Sequence, residues 1–130
     1  MKLLPDQTDE ASLLLFGNEV VSLLERCDFQ SLADRFGYAL AFGRSPAIAI
    51  EGDLQSCLAE WRAAPAQPAP APPTMTVTVK YFTPNSANLF AAVECVFIVS
   101  SGCPILAELI VTSSGEDKHL ILEQVSLAKA

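Results

Sequence analysis

Apolar and polar residues alternate strictly at the start of the C-terminal half of the chain. Over residues 74–82, Val77 and Val79 share one face with other apolar side chains, and threonines fill the opposite face. Period-two alternation that is rich in Thr and Val predicts a half-buried β-strand. Three more strands follow after short turn-forming runs, at residues 88–101, 105–112 and 118–127. Because connections this short require antiparallel pairing, the pattern predicts a four-strand meander.

The two faces of this predicted sheet differ in polarity. One face is almost wholly apolar, so another layer of the fold must cover it. The other face carries lone carboxylates among aliphatic side chains, which is too apolar for a surface that meets only water. Large exposed apolar patches usually mark an interface. We therefore predict that a homodimer contact is formed by Glu94, Val96, Ile98, Leu106, Glu108 and Ile110.

Helical spacing replaces the alternation in the N-terminal half. Apolar residues recurring every three or four positions predict a first helix over about residues 9–26. A second helix is expected between Asp28, whose side chain can cap its start, and Gly37, which suits its end. A third helix is predicted over residues 53–62, with Asp53 as its cap.

Two short segments between the second and third helices are also apolar. Residues 38–43 predict a short strand, and residues 47–50 predict either another short strand or an irregular lead into the third helix. Residues 63–73 hold five prolines among alanines and predict an extended connector. The whole chain, 1–130, is thus interpreted as one domain with helical cover at 9–62 and the meander at 74–128.

Composition narrows the classes of partner and location. The apolar fraction of 51% argues against disorder, and the net charge of −7 argues against nucleic acid and anionic membranes as partners. The first ten residues acquire acidic side chains at once, unlike a signal peptide. No run approaches the roughly 18 apolar residues that a membrane span needs. We expect a cytoplasmic protein.

Neither a metal nor a cofactor is predicted from the cysteine and histidine content. The four cysteines lie far apart in the sequence, and His119 is the only histidine, so a zinc site is not expected. Cys27, Cys57 and Cys95 lie in apolar contexts typical of buried thiols. Cys103 lies in a turn, where we expect it to be exposed.

The order of elements resembles that of the NTF2-like, cystatin-like α+β fold. The residues that carry this resemblance are 28–36 leading into 38–42, then 47–53 introducing the third helix, and the closing strands. The resemblance implies a curved sheet that wraps the helices like a cone, with a small-molecule pocket at its mouth and an outer face that dimerises. It also implies a cone floor that is lined by Val77, Val79, Val93, Cys95, Phe97, Leu109, Val111 and Ile121.

The resemblance leaves three functions open. Enzymes of this fold, such as ketosteroid isomerases and SnoaL-like cyclases, use Asp, His and Tyr in the cone, but the interior positions of the second and third strands hold no acid or histidine. Our leading interpretation is a non-catalytic, homodimeric module that binds a small apolar ligand or a protein. An isomerase or dehydratase and an acidic secretion-type chaperone are the alternatives. The residues expected to bind a ligand are Tyr38, Tyr81, Cys95, Phe97 and His119.

Overall fold

The computed structural model describes residues 1–64, 75–99 and 102–128. In these residues the fold is α+β, as predicted, with three α-helices and an antiparallel sheet of five strands. The helices are α1 (Glu10–Glu25), α2 (Phe29–Phe36) and α3 (Pro46–Ala63). The strands are β1 (Lys2–Leu3), β2 (Met75–Tyr81), β3 (Leu89–Ile98), β4 (Pro104–Ser114) and β5 (Asp117–Leu127). Nearly all of the predicted proline-rich connector lies outside the described residues, as do residues 74, 100 and 101.

The predicted meander is confirmed by the strand pairing. The strand order is β1-β5-β4-β3-β2, so the four strands predicted from the sequence are neighbours in chain order. Each of these pairs is antiparallel. The short strand β1 was not predicted, and it adds an edge by pairing with His119 and Lys118 of β5. Two residues are too few to show the alternation by which the longer strands were found.

Both ends of α2 agree with the prediction. The Asp28 carboxylate accepts hydrogen bonds from the backbone N–H and the hydroxyl of Ser31, at 3.2 Å and 2.9 Å. Gly37 follows the helix with a φ of 73°, a conformation that glycine adopts without steric cost. These two residues limit α2 to eight residues.

The short strand predicted at residues 38–43 is wrong. A 3-10 turn at Ala39–Ala41 replaces it, and Phe42 and Gly43 then reverse the chain with φ values of 49° and 82°. Alternation over six residues favours a strand only where a neighbouring strand can pair with it. Here Tyr38 fixes the segment through its side chain, as described below.

The prediction for residues 47–50 is also wrong, because α3 begins at Pro46. Ser45 precedes the helix and Pro46 occupies its first turn, where proline costs no hydrogen bond. Ile50 and Leu54 are both buried, one helical turn apart, and Ile48 is 69% exposed because it lies on the other side of the helix. Asp53 is consequently in the middle of α3 rather than at its cap.

The hydrophobic core lies between the helices and one face of the sheet, which we call the inner face. Helix α1 packs on β2 and β3, and α3 packs on β5. The fully or nearly fully buried residues of the inner face are Ala91, Val93, Cys95, Phe97, Ile105, Ala107, Leu109, Val111, Leu120, Leu122 and Val125. Ile121, which the resemblance placed among them, instead pairs with Ile110 and is only half-buried. A register shift between Glu108 and Leu109 changes which β5 residues point inward before and after it.

Among the helices of the described ranges, none combines the length and the apolar character that crossing a membrane requires.

Candidate functional site

The face of the sheet opposite the helices, which we call the outer face, is organised in rows across the strands. The middle row, called the acid row here, places Glu94 directly opposite Glu108. In the same row, Thr78 lies on one side of Glu94 and Gln124 on the far side of Glu108. Rows of the same face follow one another about 7 Å apart along the strands. Because they pair directly, Glu94 and Glu108 are neighbours across β3 and β4, within the outer-face patch that the sequence predicted.

Apolar rows flank the acid row on both sides. On one side Ala92 lies opposite Ile110, which in turn pairs with Ile121. On the other side Val96 lies opposite Leu106, and beyond them Ile98 lies opposite Pro104. Ala92 is buried, and the larger aliphatic side chains of these rows are half-buried. Two of them lie at the rim of the face, because Ile121 is the side chain nearest to Gly37 after α2 and Ile98 borders a groove that Arg62 of α3 also lines. The six residues predicted for the dimer contact thus form one continuous patch.

Burial and like charges act together on Glu108. Desolvation raises the pKa of this carboxyl above its usual value, and the carboxylates of Glu94 and Glu123 raise it further. Gln124 opposes the change weakly through a hydrogen bond. Within the described residues none of the three carboxylates forms an ion pair with Lys or Arg. The acid row therefore holds negative charge that no Lys or Arg in the described part of the chain neutralises through an ion pair.

Lys80 lies one row away from the acid row on β2. It pairs with Ala92, whereas Thr78 pairs with Glu94. The Lys80 ammonium group lies 5.3 Å from the centre of the Phe82 ring. This cation–π contact stabilises the charged form of Lys80, and it does not place the ammonium group beside the carboxylates of the acid row.

Tyr38 is the centre of a second polar arrangement, on the helical side of the fold. Its hydroxyl donates a hydrogen bond to Asp53 Oδ2 at 2.5 Å and accepts one from the Val125 N–H at 3.3 Å. Arg44 contacts the other oxygen of the same carboxylate, with Nη1 3.2 Å from Asp53 Oδ1. Burial raises the pKa of Tyr38 well above its usual value, and the hydrogen bond to Asp53 adds to this effect. Tyr38 is therefore a neutral donor that joins α3 to β5.

A shallow groove of about 340 Å³ lies beside this network. Leu40, Phe42 and Glu60 contribute to its wall, together with the last residues of β5. The Phe42 side chain is 81% exposed, and its backbone has the left-handed conformation noted above. Arg44 and Asp53 neutralise each other at the same edge. Tyr38 lies behind this groove and is only 5% exposed.

Tyr81 and His119 occupy other surroundings. The Tyr81 hydroxyl donates to the carbonyl oxygen of Thr8 at 2.8 Å, and its ring meets the edge of Phe90. His119 is exposed, and it pairs with Lys2 on one side and with Thr112 on the other. This register places His119 at the margin of the outer face. The structure thus separates Tyr38, Tyr81 and His119 rather than bringing them to one point.

Cys95 and Phe97, the other predicted ligand residues, lie in the packed core. They are 0% and 1% exposed. The thiol of Cys95 makes a weak 3.7 Å hydrogen bond to the carbonyl oxygen of Gly17 in α1. A Cβ atom added to Gly17 would lie 2.7 Å from Val77 Cγ1, so α1 already touches the inner face at this point. Helix side chains and backbone fill the space above Cys95.

The cysteines differ from the prediction in two places. Cys103, expected to be exposed in a turn, is 0% exposed, and its thiol lies 4.0 Å from the carbonyl oxygen of Cys57. Cys27, expected to be buried, is exposed. Cys103 lies against Cys57 of α3, whereas Cys27 lies at the end of α1, where the chain leaves the core. Cys57 and Cys95 are buried as predicted.

Charges of both signs surround a separate cavity of about 570 Å³ between the N-terminal segment and the β4–β5 hairpin. Lys2 Nζ lies 3.7 Å from Asp117 Oδ2, and the Lys118 ammonium group lies 5.1 Å from the centre of the Phe90 ring. Both cations at this cavity therefore already have partners within the protein. The described ranges contain no group of three or more His, Cys, Asp and Glu residues that could hold a metal ion.

The pairing of Tyr38 with Asp53 was not predicted. Fifteen residues separate them in sequence, and the prediction placed one in a strand and the other at a helix cap. The missed signal is Ser45-Pro46, a pair typical of a helix start, which would have moved Asp53 into the helix.

No protein-family model, no curated protein and no solved structure matches this chain. The NTF2-like resemblance therefore stays a prediction.

Proposed function

We propose that this protein is a non-catalytic interaction module of the NTF2-like type that pairs with a second copy of itself through the outer face of its sheet. The observation that carries the proposal is the patch on that face in which rows of aliphatic side chains flank the acid row on both sides. The helices already cover the inner face, so the patch adds nothing to the core of the single chain. A second sheet face would remove its apolar area from water, which is the main driving force of association.

The surroundings of the other predicted site residues support a module without catalysis. Tyr38 is engaged by Asp53 and Val125, and Tyr81 is engaged by the carbonyl of Thr8. An acid–base mechanism needs such groups within hydrogen-bond reach of one reacting atom. His119 is exposed on the other side of the sheet from Tyr38, which does not favour an isomerase or a dehydratase.

Ile98→Glu tests the proposed pairing. Ile98 lies at the apolar end of the outer face, opposite Pro104 and beside a groove that Arg62 also lines, and a carboxylate there would have to leave water when a second copy covers this end of the face. Sedimentation equilibrium at micromolar concentrations should give twice the chain mass for the wild type and the single chain mass for this variant.

Ile48→Glu is the matched control. It makes the same chemical change at an apolar residue that is 69% exposed on α3, away from the sheet. This variant should remain a dimer. A wild-type protein that sediments as a single chain over the whole concentration range would overturn the proposal. A dimer that survives Ile98→Glu would show that a different surface makes the contact.

A further inference from the structure

The acid row crosses the middle of the patch through which we propose that two copies pair. The row of Ala92 and Ile110 lies on one side of it, and the row of Val96 and Leu106 lies on the other. A second copy that covers both apolar rows must also cover the carboxylates between them. Because the partner carries the same row, association brings together two sets of like charges and removes them from water.

In the part of the chain that the structure describes, the charged groups that face Glu108 are negative. Glu94 faces it from β3, Glu123 faces it from β5, and its neighbours along β4 on the same face, Leu106 and Ile110, are apolar. The nearest basic side chains of the described part of this face lie outside the acid row. Lys80 is one row away on β2, and His119 lies beyond Ile121 at the margin.

A carboxylate pair that is buried beside like charges is most easily stabilised by a proton. Two carboxyl groups that share a site ionise with difficulty, and one of them retains its proton to a higher pH. In the single chain the pKa of Glu108 is already raised, which favours its protonated form. A second copy that covers the row would bury the carboxyl further and raise its pKa more. The protonated carboxyl can then donate a hydrogen bond to its neighbour.

We infer that the pairing is proton-linked, so that each copy takes up a proton at the Glu94–Glu108 pair on association and the dimer becomes tighter as the pH falls. This inference rests on the proposed function. Its sign follows from linkage, because a complex that binds more protons than its separate parts is favoured at lower pH. Each proton taken up tightens the dissociation constant by up to about tenfold per pH unit within the titration range.

The test is the dissociation constant of the dimer at about pH 7.5, pH 6.5 and pH 5.5 at fixed ionic strength, measured by sedimentation equilibrium. The wild type should bind at least about tenfold more tightly at the lowest pH than at the highest. Glu108→Gln keeps the shape of the side chain and removes the charge. It should pair more tightly than the wild type at the highest pH and lose most of the pH dependence.

Three controls separate the proposed pair from other titrating groups. Glu116→Gln removes one negative charge, as Glu108→Gln does, but in the exposed turn between β4 and β5. This variant should keep the wild-type pH dependence. His119→Gln removes the only histidine and should also keep it. The isoelectric point is near 4.5, so Ile98→Glu at the lowest pH identifies unspecific association, and it should remain a single chain.

The outcomes distinguish the two proposals. A wild type that never pairs at any pH overturns the proposed function. A dimer with the same dissociation constant at every pH overturns only the proton linkage. A pH dependence that survives in Glu108→Gln, or disappears in His119→Gln, would also overturn the assignment to the acid row.

Discussion

The Tyr38 hydroxyl lies 2.5 Å from Asp53 Oδ2 and also accepts the N–H of Val125, so one side chain joins the turn after α2, the middle of α3 and the last strand. Both partners are polar; Val125 is 5% exposed, and the Asp53 side chain is 25% exposed. Removing the hydroxyl leaves a carboxylate oxygen and a backbone N–H without their protein partner, which costs more than one exposed hydrogen bond.

Tyr38→Phe should therefore destabilise the fold. We expect a loss of about 1–3 kcal/mol in the free energy of unfolding, the range for a buried group that is left unsatisfied. The measurement is urea unfolding, followed by circular dichroism at a concentration where wild type and variant have the same oligomeric state.

Tyr81→Phe is the matched control, because it removes a hydroxyl that bonds to a single exposed carbonyl oxygen, that of Thr8. Water can replace this bond, so the loss should stay below about 1 kcal/mol. Equal losses in the two variants would contradict the central position assigned to Tyr38.

Gly17 is required where α1 meets the sheet. Gly17→Ala adds a Cβ atom at 2.7 Å from Val77 Cγ1 and 3.1 Å from Cys95 Sγ. Alanine improves helix propensity by about 1 kcal/mol, but overpacking of a core contact costs typically about 1–3 kcal/mol. We expect a lower free energy of unfolding, by about 1 kcal/mol, in the same urea experiment.

Gly52→Ala makes the same change in α3, where the nearest atom to the new Cβ is Arg44 Nη1 at 3.8 Å. No contact opposes the gain in helix propensity here, so this variant should be more stable than the wild type by about 0.5–1 kcal/mol. If the two glycine variants change stability in the same direction, α1 does not lie as close to β2 and β3 as the structure places it.

Cys27 ends α1 in a conformation that favours glycine. Its φ is 56°, its N–H bonds to the carbonyl of Leu24, and the N–H of Asp28 bonds to the carbonyl of Leu23. These two bonds form a Schellman motif, in which the left-handed residue is usually glycine. Cys27→Gly should raise the free energy of unfolding by about 1 kcal/mol, since a residue with a Cβ atom is strained there.

The comparison for that variant is Cys27→Ala, which removes the thiol and retains the Cβ atom. Its stability should stay within about 0.5 kcal/mol of the wild type. A gain as large as that of Cys27→Gly would attribute the effect to the loss of the thiol rather than to relief of the backbone.

The sheet could be predicted from the sequence because its signal is local. Alternation along residues such as Val77 and Val79 fixes which side chains share a face, and short turns fix which strands are neighbours. The acid row followed from the same logic, since Glu94 and Glu108 fall on one face of adjacent strands. Ile121 was misplaced because a register shift is set by backbone hydrogen bonding and leaves no mark in the apolar pattern.

The polar network around Tyr38 could not be predicted in the same way. Tyr38 is 15 positions from Asp53 and 87 positions from Val125 in the sequence. Both hydrogen bonds depend on how the turn after α2 packs against β5. The cysteines give a similar lesson. The sequence around Cys103 predicts an exposed turn residue, but its contact with Cys57 of α3 buries it, and only tertiary structure determines that contact.

The thiols should differ sharply in reactivity. Burial raises the pKa of Cys57 to about 11 and of Cys95 to about 12, and it also raises the pKa of Cys103. Since the thiolate is the reactive form, these three should react slowly with an aromatic disulfide reagent near pH 8, whereas the exposed Cys27 should react fast. The native protein should therefore release one equivalent of the reagent's aromatic thiolate quickly, and the denatured protein should release four equivalents, one for each cysteine. Cys27→Gly should lose the fast phase, and a fast phase that persists in this variant would mean that a cysteine assigned to the core is accessible.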